Sequence, residues 1–219
     1  MMARIEGALR AAANPGAAVS MAAYMRDQFA FLGVKLPEQR AATTVALRGL
    51  PAPDEADLTA VALACWELPE REFQHVACDL LRRHVKVCGP GFLSTVKQLV
   101  TLRSWWDTVD TLAAHTTGPL VRAHPALVTT MDEWATDDNL WLARTAILHQ
   151  LTYKAATDEG RLFRYCAQQL THPDFFIRKA IGWALREYGK TAPDAVRAFV
   201  ANHEDRMSGL SRREALKNL

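Results

Sequence analysis

Two tryptophans and two acids are crowded into one short stretch, Ser104-Trp105-Trp106-Asp107-Thr108-Val109-Asp110. On a helix Trp106 and Asp110 are i and i+4, so they share a face about one turn apart. A carboxylate beside a large aromatic surface on a rigid element can attract and orient a cationic group. The plainer use of such residues is structural: tryptophans packed in a core, acids solvated or in the first turn of a helix. A second constellation lies further along. Lys179, Trp183 and Arg186 are i, i+4 and i+7 and share one helical face, while Ile177, Ile181, Ala184, Leu185 and Tyr188 form an apolar stripe on the other. Cations interleaved with an aromatic, opposite an apolar stripe, is the pattern of a nucleic-acid surface. Between the two stretches, Arg144 lies on a segment whose Leu140, Ile147, Leu148 and Leu151 point inward.

The elements that must position these groups are helices. Helical periodicity runs from end to end, and alternating strand patterns are missing. About a dozen helix-sized segments are separated by short breaks at Pro, Gly, Asp or Asn. The early ones cover roughly Ala3–Ala13, Val19–Phe31, Pro37–Leu50, Asp54–Trp66, Pro69–Val87 and Phe92–Leu102. Ser104 is the candidate N-cap of the Trp-Trp-Asp helix, which runs to about His115. Breaks at Gly118-Pro119 and Pro125 follow, and Asp137-Asp138 cap a helix over Asn139–Lys154. The remaining segments are Asp158–Leu170, Pro173–Tyr188, Pro193–Ala201 and Ser211–Leu219. Short connections make sequential helices antiparallel neighbours. A helix pair of about 35 to 45 residues is the length of a HEAT- or armadillo-like unit. The expected fold is therefore all-α, a superhelix of stacked antiparallel helix pairs forming one domain over residues 1–219. A compact bundle is the alternative.

Composition bounds the partners. The 219 residues carry 26 basic and 24 acidic side chains, a net charge of +2, so any contact with nucleic acid depends on where the charges sit. Cys65, Cys78, Cys88 and Cys166 form no Cys-x-x-Cys pair and lie in apolar or helical contexts, which fits reduced, packed thiols in a cytoplasmic protein. The seven histidines show no metal-ligand spacing, and there is neither a phosphate-binding glycine loop nor a nucleophile elbow. No metal and no cofactor is expected. The N-terminal stretch is not a signal peptide, and no apolar run has membrane-spanning length.

Several aromatic-rich segments, in this order, resemble one family across nearly the whole chain. They are Ala22-Ala23-Tyr24-Met25, Phe31-Leu32-Gly33-Val34, Pro37-Glu38 and Trp66-Glu67-Leu68-Pro69-Glu70-Arg71-Glu72-Phe73-Gln74. They continue with Ser104 to Asp110, Asp138-Asn139-Leu140-Trp141-Leu142-Ala143-Arg144, Ala180-Ile181-Gly182-Trp183-Ala184-Leu185-Arg186-Glu187-Tyr188 and Leu210-Ser211-Arg212-Arg213-Glu214-Ala215. The chain is similar to the bacterial DNA alkylation repair family, the HEAT-like-repeat alkylpurine DNA glycosylases of the AlkD type. The resemblance implies a concave, positively charged groove for double-stranded DNA and excision of cationic N3- or N7-alkylated purines without base flipping. It places the catalytic acid on Asp110, its aromatic partners on Trp106 and Trp183, and a DNA-contacting arginine on Arg144. A monomer is expected.

The chemistry suits those residue types. A purine alkylated at N3 or N7 is already a good leaving group, and its departure leaves an oxocarbenium-like sugar. Such a reaction calls for a negative charge near the sugar and a positioned water. Asp110 can supply both, and Trp106 and Trp183 offer π-faces to the cationic nucleotide. Lys179, Arg186, Arg178, Arg212, Arg213 and Lys217 are candidates to grip phosphates, and Tyr24 either touches DNA or packs. Trp105, Trp66, Trp134 and Trp141 are expected in the core, with Asp107 in the first turn of its helix.

Overall fold

In the computed structural model, which describes residues 1–219, the chain is all-α. Fourteen α-helices follow one another: α1 (Met2–Ala11), α2 (Pro15–Tyr24), α3 (Leu36–Ala46), α4 (Glu55–Glu67), α5 (Arg71–His84), α6 (Leu93–Thr101) and α7 (Trp106–Leu112), then α8 (Gly118–Ala123), α9 (Val128–Trp134), α10 (Leu140–Leu148), α11 (Glu159–Gln168), α12 (Phe175–Gly189), α13 (Pro193–Asn202) and α14 (Gly209–Ala215). The fold is one of stacked helix pairs, as the spacing of breaks predicts. The chain divides into two compact units, Met1–Thr95 and Val96–Leu219. No helix is long and apolar enough to cross a membrane, and all four cysteines are buried and outside any disulfide.

In the first unit α4 packs on α5, and α1, α3 and α5 pack in succession. Asp54 caps α4 as expected, its side chain accepting from the Asp57 amide at 2.8 Å. The core holds Ile5, Leu9, Leu58, Phe73 and Leu81. The helix expected to run to Phe31 stops at Tyr24 instead. Arg26 and Asp27 turn into the left-handed region, and the chain then runs without regular structure to α3, with Gly33 also at positive φ. The fully buried Glu72 explains why that segment stays out of a helix. Its carboxylate accepts from the amides of Leu32 (3.0 Å), Gly33 (2.8 Å) and Val34 (3.1 Å). Three amides on one buried carboxylate satisfy a charge that would otherwise be costly to desolvate.

In the second unit four helices lie in one row: α7 packs on α10, α10 on α12 and α12 on α14. The core beneath contains Val109, Leu112, Leu120, Met131, Leu148, Ile177 and Ile181. Two local expectations are corrected. Ser104 does not cap α7; its hydroxyl donates 2.6 Å back to the carbonyl of Val100 and closes the end of α6, leaving Trp105 at the cap position. Gly118-Pro119 is not a break either. From Trp106 to Ala123 the backbone stays helical through a wider π-turn over Ala113–Thr117. Pro119, which has no N–H to donate into the helix, follows directly on that wider turn. A Cβ on Gly118 would come within 2.2 Å of the His149 carbonyl, so this glycine permits close packing rather than a turn.

Gly182, in the middle of α12, serves the same end. A Cβ there would lie 2.5 Å from Cβ of Glu214 and 2.9 Å from the Ser211 carbonyl. The vacancy lets α14 settle onto α12, where the Ser211 hydroxyl donates to the Arg178 carbonyl at 2.9 Å. Gly182→Val should lower stability by about 1–3 kcal/mol through overpacking. Gly182→Ala should lose less, because alanine regains roughly 1 kcal/mol of helix propensity. Urea unfolding of the two variants checks both the loss and its order; equal midpoints with wild type would show that α14 does not depend on this contact.

Candidate active site

Three helices of the row converge on one ion pair. α10 begins where it does because Asn139 caps it, accepting from the amides of Trp141 at 3.0 Å and Leu142 at 3.4 Å. The Asp137 carboxylate in turn accepts from the Asn139 amide at 2.8 Å. One turn in, Arg144 points at α7. Its Nε donates to Asp110 Oδ1 and its Nη2 to Asp110 Oδ2, both at 2.7 Å. The third contact, from Nη1, goes to the backbone carbonyl of Phe176 in the first turn of α12. α12 starts at that point because the Asp174 side chain accepts from the Phe176 amide at 2.6 Å. Arg144 thus ties α7, α10 and α12 together.

The burial of the pair is uneven. The Arg144 side chain is only 3% exposed, and that of Asp110 13%. Arg144 is therefore not the outward-facing cation that its sequence context suggests; it lies beneath the carboxylate and presents it. Burial pushes the Asp110 carboxyl above the ordinary aspartate range, the Arg144 guanidinium opposes this, and the Asp107 charge adds to the rise. Each oxygen of Asp110 spends one acceptor position on Arg144 and retains another. The carboxylate is thus fixed in orientation while still able to accept a proton or a hydrogen bond through its exposed edge.

The Phe176 ring lies 6.0 Å from the Arg144 guanidinium, and further aromatics sit on the same helices. Trp106 precedes Asp110 by one turn of α7 and is half-buried. Trp105, Trp141 and Phe176 form a cluster, with Phe176 5.0 Å from each tryptophan ring and the two tryptophans 6.0 Å apart. Trp105 supports the site rather than the deep core, and Trp141 is likewise half-buried. Trp66 and Trp134 are core residues. Asp107 sits in the first turn of α7. Trp183 lies seven residues beyond Phe176 on α12, two helical turns or about 10 Å further along the same face.

Lys179 and Arg186 flank Trp183 on α12, and one carboxylate from α14 spans them. Glu214 binds Lys179 at 2.7 Å and Arg186 at 2.6 Å. These two contacts hold the Glu214 carboxyl below its usual range, the Lys179 hydrogen bond first among the causes. The other basic candidates are dispersed. Arg178 turns to the loop before its own helix, donating to the His172 carbonyl at 2.9 Å. Arg212 pairs with Glu204. Arg213 and Lys217 are exposed. Tyr24 belongs to the first unit, at the end of α2, and is 74% exposed. No group of three or more His, Cys, Asp or Glu is placed to hold a metal ion.

Sequence reasoning missed two contributors. Phe176 acts through its backbone carbonyl, which no pattern of side chains reveals. Glu214 lies 28 residues from Arg186, and only the docking of α14 brings it near. Its one local signal was its place in the Ser211-Arg212-Arg213-Glu214 segment, where the arginines drew attention away from it.

Comparison with known proteins accords with this geometry. The chain matches the family described as DNA alkylation repair enzyme over residues 5–219. Among solved structures it is similar to a predicted DNA alkylation repair enzyme from Enterococcus faecalis, at 33% identity and a TM-score of 0.87, over 94% of this chain and 96% of that one. It also shares the fold of smu.31 from Streptococcus mutans UA159, at 19% identity and a TM-score of 0.62, over 83% of this chain and 90% of that one. No curated protein matches it. By the extent of the family match and the likeness to the Enterococcus structure, the chain belongs to the DNA alkylation repair enzyme family.

Proposed function

We propose that this protein is a DNA glycosylase that hydrolyses the N-glycosidic bond of purines made cationic by alkylation at N3 or N7 in double-stranded DNA, and so begins base excision repair. It works as a monomer and a single domain over residues 1–219, without a cofactor, on DNA in the cytoplasm and without drawing the base into an enclosed pocket. The observation that carries the reading is the Asp110 carboxylate, held by two hydrogen bonds from the buried Arg144, still 13% exposed, and one helical turn after Trp106.

The reaction follows from the charges. As the bond between the sugar C1′ and the purine nitrogen breaks, its electron pair moves to the base and neutralises it. Positive charge then appears on C1′ and the ring oxygen of the deoxyribose. Asp110, fixed and partly desolvated, stabilises that charge without having to reorganise. Its remaining acceptor positions orient a water for addition to C1′ and accept the proton released. Trp106 and Trp183 place π-faces against the cationic nucleotide, and the cations of α12 and α14 hold phosphates on either side.

The test is incubation with methylated duplex DNA and chromatography of the released bases. Free 3-methyladenine or 7-methylguanine is expected in proportion to enzyme. A second reading, a non-catalytic protein that binds damaged DNA on the same framework, draws on the same ion pair, because a closed Asp–Arg contact also suits a purely structural role. It predicts retention of methylated duplex with no base released.

A further inference from the structure

Glu214 occupies the cations on which the proposed DNA grip depends. Lys179, Trp183 and Arg186 form one stripe on α12, and the Glu214 carboxylate reaches across it to both charged ends, at 2.7 and 2.6 Å. Its side chain is 15% exposed, against 37% for Lys179 and 22% for Arg186, so the acid is less open to solvent than either cation. Its backbone is equally constrained: α14 is seated where α12 carries Gly182, and Ser211 is hydrogen-bonded to the Arg178 carbonyl. The acid is therefore a fixed counter-charge that, with Lys179 and Arg186, makes a group of net charge +1 instead of +2, and the Lys217 charge acts on the same carboxylate.

We infer that Glu214 limits the protein's grip on duplex DNA by competing with DNA phosphate for Lys179 and Arg186. Phosphate binding draws on the release of counterions from DNA and grows with each cation committed to it. A cation already paired to an internal carboxylate contributes less, because the phosphate must displace that partner or share the donor with it. Ordinary duplex offers only phosphates to this stripe. The competition lowers the affinity for damaged and undamaged duplex alike, and what it limits is the hold on the far more numerous undamaged sites, while the positive charge of an alkylated purine is left to Asp110 and the tryptophans. This rests on the DNA reading given above.

The experiment compares wild type with Glu214→Gln, which keeps the shape of the side chain, in equilibrium binding to an unmodified duplex across a sodium chloride series. The variant is expected to bind at least about threefold more tightly at low salt. Its log–log salt slope should steepen by about one, the effect of roughly one more cation committed to phosphate. Adding Lys179→Gln and Arg186→Gln to the Glu214→Gln background should abolish the gain, and Glu214→Asp should restore part of the wild-type behaviour. Thermal unfolding of each variant confirms that α14 remains docked. Unchanged or weaker binding by a folded Glu214→Gln protein would overturn the inference and leave the glycosylase reading standing. Failure of the wild type itself to bind duplex would overturn both.

Discussion

Asp110→Asn should reduce the single-turnover release of alkylated purine by about a hundred- to a thousandfold, equivalent to roughly 3–4 kcal/mol of transition-state stabilisation. Asparagine keeps the size and one acceptor of the native side chain but removes its charge. The oxocarbenium-like sugar then meets a neutral amide, and the water loses the group that accepts its proton. The substitution also leaves Arg144 without its counter-ion in a largely buried setting. Some stability should be lost as well, because a buried charge with one partner removed is left uncompensated. The amide oxygen and the Phe176 carbonyl still engage the guanidinium, which keeps that loss moderate. Rates measured well below the melting temperature separate the two effects. Release at the wild-type rate by a folded variant would remove Asp110 from the chemistry.

Arg144→Met should act through Asp110 and show itself in the pH profile. Methionine keeps an unbranched apolar stem but cannot donate, so Asp110 loses two charge-assisted hydrogen bonds at once. Breaking a buried pair in this way costs about 3–5 kcal/mol of stability. The direction of the kinetic effect follows from the carboxyl group. Burial already raises its pKa, and Arg144 is the principal influence pulling it down. With Arg144 removed the pKa rises further. Catalysis needs the ionised form, so activity is present above that pKa and lost as pH falls through it. The acidic limb of the rate profile should move to higher pH than in wild type. Arg144→Lys, which restores charge without the two-pronged geometry, should return the limb part of the way. An acidic limb in the same place for Arg144→Met and wild type would show that the pair does not tune the reactive group.

Much of this architecture was legible in the chain. The 3.6-residue periodicity and the Pro, Gly and Asp punctuation yield helix after helix, with Asp54 at its expected cap, while Asn139 and not Asp137-Asp138 caps α10. Where the reading failed, a distant group had intervened. Phe29 and Leu32 continue a helical stripe, yet Glu72, some forty residues on, claims the amides of Leu32 to Val34. Gly118-Pro119 has the local signature of a break, yet the His149 carbonyl presses on Gly118 and the helical run continues past it.

The sequence by itself determined the all-α class, the pairing of Trp106 with Asp110 on one face of α7, and the stripe of Lys179, Trp183 and Arg186 on α12. All of these depend on spacing within a single helix, which the helical repeat converts directly into geometry. Tertiary structure alone decided that Arg144 lies beneath Asp110 instead of facing outward, that the Phe176 carbonyl holds it there, and that Glu214 spans Lys179 and Arg186. Those contacts join residues on different helices. Their existence depends on which helices pack, and on two glycines whose missing side chains let the backbones approach.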